Sequence, residues 1–208
     1  MAALAVAIVA TTCAPREPRH LVCLGDSNTS AGWPAPEDIR WCEMLGDFPE
    51  LAGTRIDNLA RGGAELRREE TAWPNADLQL DMARALGRPD VIVLAFGTND
   101  IRTGRSPRAV AHGYAALTRR AEAAGAIVYT ALTPPVHWPL PDADETNAKV
   151  DELNALLRAS VAPGRLLDFH TGFTAEYFDR DGLHVNAEGQ RKRALVARAA
   201  LLADRAAR

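Results

Sequence analysis

Residues 90–100 read Asp90-Val91-Ile92-Val93-Leu94-Ala95-Phe96-Gly97-Thr98-Asn99-Asp100. The apolar run from Val91 to Phe96 has no polar interruption and stops at a glycine. A strand with one wet face alternates apolar and polar residues, whereas a strand buried on both faces reads as a continuous run. Similar short runs, rich in Val, Ile and Leu, occupy 20–25, 55–59, 126–132 and 165–169. With 90–96 they are the expected strands.

Helical patterns lie between them. Ser106-Pro107 places a capping residue before a proline at the first helical position, and Val110, Tyr114, Leu117 and Ala121 follow at spacings of four and three, with Gly125 as a stop. Val150, Leu153, Leu156 and Leu157 form a second stripe, closed by Pro163-Gly164. Leu78, Met82 and Leu86 form a third, closed by Gly87. Trp41, Met44, Leu45 and Phe48 fit a helix after the first strand, and Asn186 caps a last helix expected to reach about Arg205. Strand–helix alternation implies a parallel sheet with helices on both faces, and right-handed crossovers leave few topologies. The expected fold is a three-layer α/β/α sandwich with a parallel sheet of about five strands.

Composition agrees with that class. The chain has 208 residues, 47% hydrophobic and 25% charged, with a formal net charge of −3. A chain of this length buries roughly 70% of its unfolded surface and needs no staple. The mild acidity gives no electrostatic footprint for nucleic acid. No apolar run reaches the roughly 18 residues of a membrane-spanning helix. Cys13, Cys23 and Cys42 are too few and too irregular for a disulfide framework, and Cys23 is expected as a buried thiol inside the first strand. The histidines show no zinc-ligand spacing, so no zinc site is expected.

The expected organisation is an N-terminal segment, 1–19, followed by one domain, 20–208. Residues 2–10, AALAVAIVA, are apolar and small, and PREPR at 15–19 reads as a stiff charged linker. The apolar run suits the core of a secretory signal, although no Lys or Arg precedes it. Cys13 is a candidate lipid-attachment cysteine in a poorly matching context. Export or lipid anchoring is favoured slightly over a cytoplasmic chain with a frayed arm, because this segment is otherwise unexplained. The sequence does not bear on oligomeric state.

In an open parallel sheet, ligands bind beyond the carboxyl ends of the strands, where the order reverses. The loop after the first strand reads Gly25-Asp26-Ser27-Asn28-Thr29; that after the second, Asn58-Leu59-Ala60-Arg61-Gly62-Gly63; that after the third, Gly97-Thr98-Asn99-Asp100; and Asp181-Gly182-Leu183-His184 precedes the last helix. Each alone is ordinary: a capping serine, a turn, an Asx turn, a surface Asp and His. Together they supply a nucleophile in Ser27, a base in His184, an orienting acid in Asp181, a backbone that lets a ligand approach, and the Asn99 amide as an anion donor. That is the inventory for acyl transfer through a tetrahedral intermediate.

With these motifs in order, the chain resembles the SGNH hydrolases, also called GDSL esterases and lipases. LGDSNT at 24–29 matches the first block, NLARGG at 58–63 the second, GTND at 97–100 the third and DGLHVN at 181–186 the last. The resemblance runs from about Leu21 to the end, and Asn28 departs from the leucine of the namesake motif. It implies the flavodoxin-like three-layer fold of that family and an ester hydrolase working without metal or cofactor. It also implies Ser27 as nucleophile, His184 as general base and acid, and Asp181 as its orienting partner. The oxyanion hole would be the Ser27 N–H, the Gly63 N–H (with Gly62 the other choice) and the Asn99 side chain. Asp26 and Asp100 are expected to shape turns.

The expected partner is a small-molecule ester, with short-acyl substrates favoured because no large lid is evident. An acyltransferase or a carbohydrate O-acetylesterase using the same site is the near alternative. A non-catalytic carbohydrate-binding relative and a phosphate-binding flavodoxin-like module are the more distant ones. Trp33, Trp73 and Trp138 each precede proline in a loop after an expected strand. With His137 they are the candidate substrate-binding residues, since stiff loops bearing large aromatic faces suit sugar rings or acyl chains. Packing of each Trp on its own proline is the competing account. Phe173, Tyr177 and Phe178 belong either to the rim of that site or to local packing.

Overall fold

The structure, a computed structural model, describes residues 20–30, 39–66 and 75–206. Five strands form one parallel sheet: β1 (His20–Gly25), β2 (Arg55–Asn58), β3 (Val91–Ala95), β4 (Ile127–Ala131) and β5 (Leu166–Leu167), in the order β2-β1-β3-β4-β5. The strands are those expected, trimmed by one to three residues except at β1. The helices are α1 (Ser27–Ser30), α2 (Ala76–Ala85), α3 (Thr98–Arg102), α4 (Pro107–Ala123), α5 (Ala143–Ser160) and α6 (Ala187–Ala206).

Alternate residues of the same strands feed two separate cores. Val22, Leu24, Ile92, Leu94 and Val128 pack beneath α2, α4 and α5, against Leu80, Val110, Tyr114, Leu117, Val150 and Leu153. Leu21, Cys23, Val91, Val93, Tyr129 and Leu167 pack on the other face, against Trp41, Leu45, Leu51 and the α6 residues Ala194, Ala197 and Leu201. The two clusters make the three layers, and they explain why the strands carry apolar side chains in both directions. The Ser106 hydroxyl caps α4 by accepting from Ala109 N, and the Asn186 side-chain Oδ1 accepts from Glu188 N and Gly189 N ahead of α6.

Three expectations need correction. The buried face of α2 is Ala76, Gln79, Leu80 and Ala83, whereas Leu86 of the expected stripe is 44% exposed. Residues 41–48 do not form an α-helix: the regular part is a 3₁₀ turn, Glu43–Asp47, with Trp41 and Leu45 buried. Cys23 is not a thiol. It is bridged to Cys42, 19 residues away, with the α-carbons 6.4 Å apart. The bridge joins two buried residues of the second core, tying the segment that begins at Trp41 to β1. Cys13, Trp33 and Trp73, like the whole 1–19 segment, lie outside the described residues. Among the described residues, no helix is long and apolar enough to cross a membrane.

The strand order reverses between β1 and β3, since the chain moves to one side for β2 and to the other for β3. The ends of β1 and β3 therefore open a crevice at that switch point. Gly25 closes β1 there in close backbone contact: a β-carbon at this position would lie 2.6 Å from the Ala95 carbonyl oxygen. Buried Gln79 pins the same residue, accepting from Gly25 N at 2.8 Å and donating to Gly25 O at 2.9 Å. The polar residue within the apolar face of α2 thus fixes the point from which the next loop departs.

Candidate active site

Ser27 begins α1, one turn beyond β1, and is half-buried. Asp26 sets this turn: its Oδ1 accepts from Asn28 N at 2.9 Å, while its carbonyl oxygen accepts from Thr29 N and Ser30 N. The hydroxyl of Ser27 meets His184 Nε2 at 3.0 Å, and His184 Nδ1 meets Asp181 Oδ2 at 2.5 Å. Asp181 also folds its own loop, since its Oδ1 accepts from Leu183 N and His184 N, both at 2.9 Å. Partial burial pushes the Asp181 carboxyl up, but the His184 ring and these backbone donors outweigh it and hold the group below the usual carboxylate range. Asp181 is therefore ionised wherever a histidine can titrate, and an anion at Nδ1 leaves Nε2 free to accept a proton.

The second and third loops are stitched together beside Ser27. Asn99 donates from Nδ2 to the Ala64 carbonyl at 3.1 Å. A primary amide has two N–H groups, so the bond to Ala64 O fixes the direction of the other. Asp100, fully buried, accepts from Leu66 N through both oxygens and is paired with Arg105. Burial pushes its carboxyl up, with Arg105 opposing. Asp26 and Asp100 thus serve as turn-shaping groups. Of the paired glycines, Gly62 is the one that faces Ser27, with a β-carbon there 3.9 Å from that of Ser27. Gly63 holds a left-handed φ of 77° with nothing near its own β-carbon position.

The remaining candidates divide. The 133–142 loop is held along its first half. Asn154 bonds both backbone groups of Thr133 at 2.9 Å, Asn147 bonds both of Val136 at 2.8 Å, and His137 N donates to Gly182 O at 2.7 Å. Gly182 is required for this last approach, because a β-carbon there would lie 2.2 Å from the His137 carbonyl oxygen. The His137 ring packs edge-on to Phe178, with centroids 4.6 Å apart, and its Nε2 faces Phe173 O at 3.3 Å. Phe173, Phe178 and Val185 form a small buried cluster, and the Lys192 ammonium lies over the rings of Phe173 and Tyr177. These aromatics are local packing rather than a rim. Trp138 differs: it is 87% exposed on the loop that touches the Asp181–His184 turn.

Asp26 carries an electrostatic cost. Burial raises its carboxyl to about 6, against the opposing pull of Asn28 N and Arg193. Burial likewise lowers the Arg193 guanidinium to about 10, with Asp26 opposing. The folded state therefore holds the Asp26 proton more tightly than the unfolded chain does, so this group makes the fold progressively less stable as pH rises from about 4 to 6. Asp26→Asn mimics the protonated acid. Its stability should match wild type near pH 4 and exceed it by about 2–3 kcal/mol near pH 7. Denaturant unfolding of both proteins at several pH values reads the difference, and a gap independent of pH would contradict the assignment.

A three-layer fold with a serine, a histidine and a carboxylate in hydrogen-bonded sequence at its switch point defines a class of hydrolase, and comparison with known proteins agrees. The model of the GDSL-like lipase/acylhydrolase family matches residues 23–192, so the chain belongs to that family and is a carboxylic ester hydrolase. No curated protein sequence matches it. Among solved structures, a member of the lipolytic protein G-D-S-L family from Veillonella parvula superposes with a TM-score of 0.71 at 23% identity, over 86% of this chain and 96% of that one. An aryl esterase from M. smegmatis gives 0.67 at 21% identity, over 87% and 98%. A carbohydrate acetylesterase family member from Sinorhizobium meliloti gives 0.67 at 17% identity, over 88% and 99%.

Proposed function

We propose that the chain hydrolyses carboxylic esters of small or short-acyl substrates through an acyl-enzyme on Ser27. The observation that carries this reading is the hydrogen-bond chain Asp181–His184–Ser27, with both links within 3.0 Å. Neutral His184 takes the Ser27 proton at Nε2 as the oxygen attacks the ester carbonyl. Asp181 holds the ring orientation and balances the imidazolium. The oxyanion is held by the N–H groups of Ser27 and Gly63 and by the Asn99 amide, while the bare α-carbon of Gly62 leaves room beside Ser27. His184 then protonates the leaving alcohol. Water, deprotonated by the same ring, attacks the acyl carbonyl, and Ser27 leaves with the proton returned by His184. The preference for short acyl groups is supported by Ser27 lying half-exposed and by the aromatic cluster near the site being filled by its own packing.

Hydrolysis of p-nitrophenyl esters from two to twelve acyl carbons, wild type beside Ser27→Ala, tests the reading. Wild type should turn over the short esters fastest, and the variant should lose nearly all turnover on each of them. A wild type inactive on every ester, or a variant as active as wild type, would overturn it.

Trp138 is the one candidate substrate-binding tryptophan among the described residues. A fully exposed indole has apolar area to cover and costs little entropy to fix. Trp138→Ala should raise KM several-fold for aromatic or sugar esters and leave kcat near wild type, as loss of ground-state binding does. Unchanged KM across substrates would remove Trp138 from the site.

A further inference from the structure

Resting on the Ser27–His184 reading above, we infer that Asn28 is a positioning residue that holds His184 at hydrogen-bond distance from Ser27. Asn28 follows the nucleophile directly, is 4% exposed, and reaches across to the loop that carries the base. Its side-chain Oδ1 accepts from Val185 N at 2.9 Å, and its Nδ2 donates to Leu183 O at 3.3 Å. Leu183 and Val185 are the residues on either side of His184. One amide therefore grips the backbone of the base from both flanks. The orientation of the amide is fixed by its partners, since only the oxygen can face an N–H and only the nitrogen a carbonyl.

The grip is anchored from behind. The Asn28 carbonyl oxygen accepts from Arg193 Nη1 at 2.7 Å and from Gln190 Nε2 at 3.1 Å, both buried side chains of α6. Its own N–H is taken by Asp26 Oδ1. Every polar group of Asn28 thus has a partner, and those partners lie on the nucleophile turn, the histidine loop and the last helix. The Asp181–His184 loop needs such a brace. Asp181 is exposed at 43% of its side chain, so the Asp–His bond alone is open to water. A leucine, the residue at this place in the namesake motif, has the same heavy-atom branching and neither bond.

Two variants separate the brace from simple packing. Asn28→Leu removes both bonds while keeping the number and branching of the side-chain heavy atoms. Asn28→Asp keeps the acceptor for Val185 N and loses the donor. On a short p-nitrophenyl ester, Asn28→Leu should lower kcat by about 10²-fold, because a misplaced catalytic group costs on that order. KM should stay within about two-fold, since ground-state binding is untouched. Asn28→Asp should recover part of that loss. In the wild-type protein, the Val185 amide should exchange with deuterium slowly, and in Asn28→Leu it should lose that protection while amides of β1 and β3 keep theirs. Wild-type kcat in Asn28→Leu, with Ser27→Ala inactive, would overturn the brace and leave the nucleophile assignment standing. Activity surviving in Ser27→Ala would overturn the assignment beneath it. If Asn28→Leu does not fold, rapid exchange of the Val185 amide in wild type, or full activity in Asn28→Asp with no slowing of turnover, overturns the inference.

Discussion

Ser27→Ala should lower kcat on a short p-nitrophenyl ester by roughly 10⁵–10⁶-fold, and adding His184→Ala to it should cost almost nothing more. In the proposed mechanism the hydroxyl and the imidazole act through one proton transfer across the 3.0 Å contact between them. Without the nucleophile there is no proton for the base to take, so the second loss is already contained in the first. What survives is the catalysis given by the oxyanion donors and by substrate binding, which holds a residual rate above that in water. A four-member cycle of wild type, the two single variants and the double variant measures this, with folding checked by near-ultraviolet circular dichroism. Losses that multiply would mean that the two residues act independently, and the acyl-enzyme route would fail.

Asn99→Ala is the second large effect, about 10²–10³-fold in kcat with KM little changed. On the proposed oxyanion role, the amide is prepared before substrate arrives: the bond to Ala64 O holds one N–H and aims the other. A donor fixed in this way need not reorganise as charge develops on the carbonyl oxygen, and such preorganised donors contribute most in the transition state. Asn99→Asp is the sharper companion. It keeps the shape but puts negative charge where the oxyanion forms, so it should be at least as damaging as alanine. An Asn99→Asp enzyme faster than Asn99→Ala would show that Asn99 acts on the loop of Ala64 rather than on the reaction.

The strands were legible because their signal is one-dimensional. An unbroken apolar run such as 91–96 needs only its own residues to declare a two-sided burial. The candidate site was legible as residue types at successive strand ends, and the family as four motifs in order. The contact itself was not, since Ser27 and His184 are 157 residues apart and only the sheet order brings them to one crevice. The features that escaped are those in which polar groups are buried. Gln79 lies on the buried face of α2 because it bonds both backbone groups of Gly25, and an apolar period selected Leu78 and Leu86 instead. Asn28 reads in the sequence as a departure from a motif, and its value lies in two bonds to a distant loop. Cys23 and Cys42 carry no spacing signal. Their pairing follows from the packing of the Trp41 segment against the sheet.

That pairing has a consequence for the integrity of the chain. A covalent ring runs from Cys23 to Cys42, and Ser27 is one of its members. A protease that cuts the backbone anywhere between the two cysteines opens the ring and releases nothing, so the nucleophile remains attached to both halves of the molecule. The guarantee lasts only while the sulfurs stay oxidised, as they do outside the reducing cytosol. The stretch with the most to lose from a stray cleavage is thus secured by a covalent bond between its two ends.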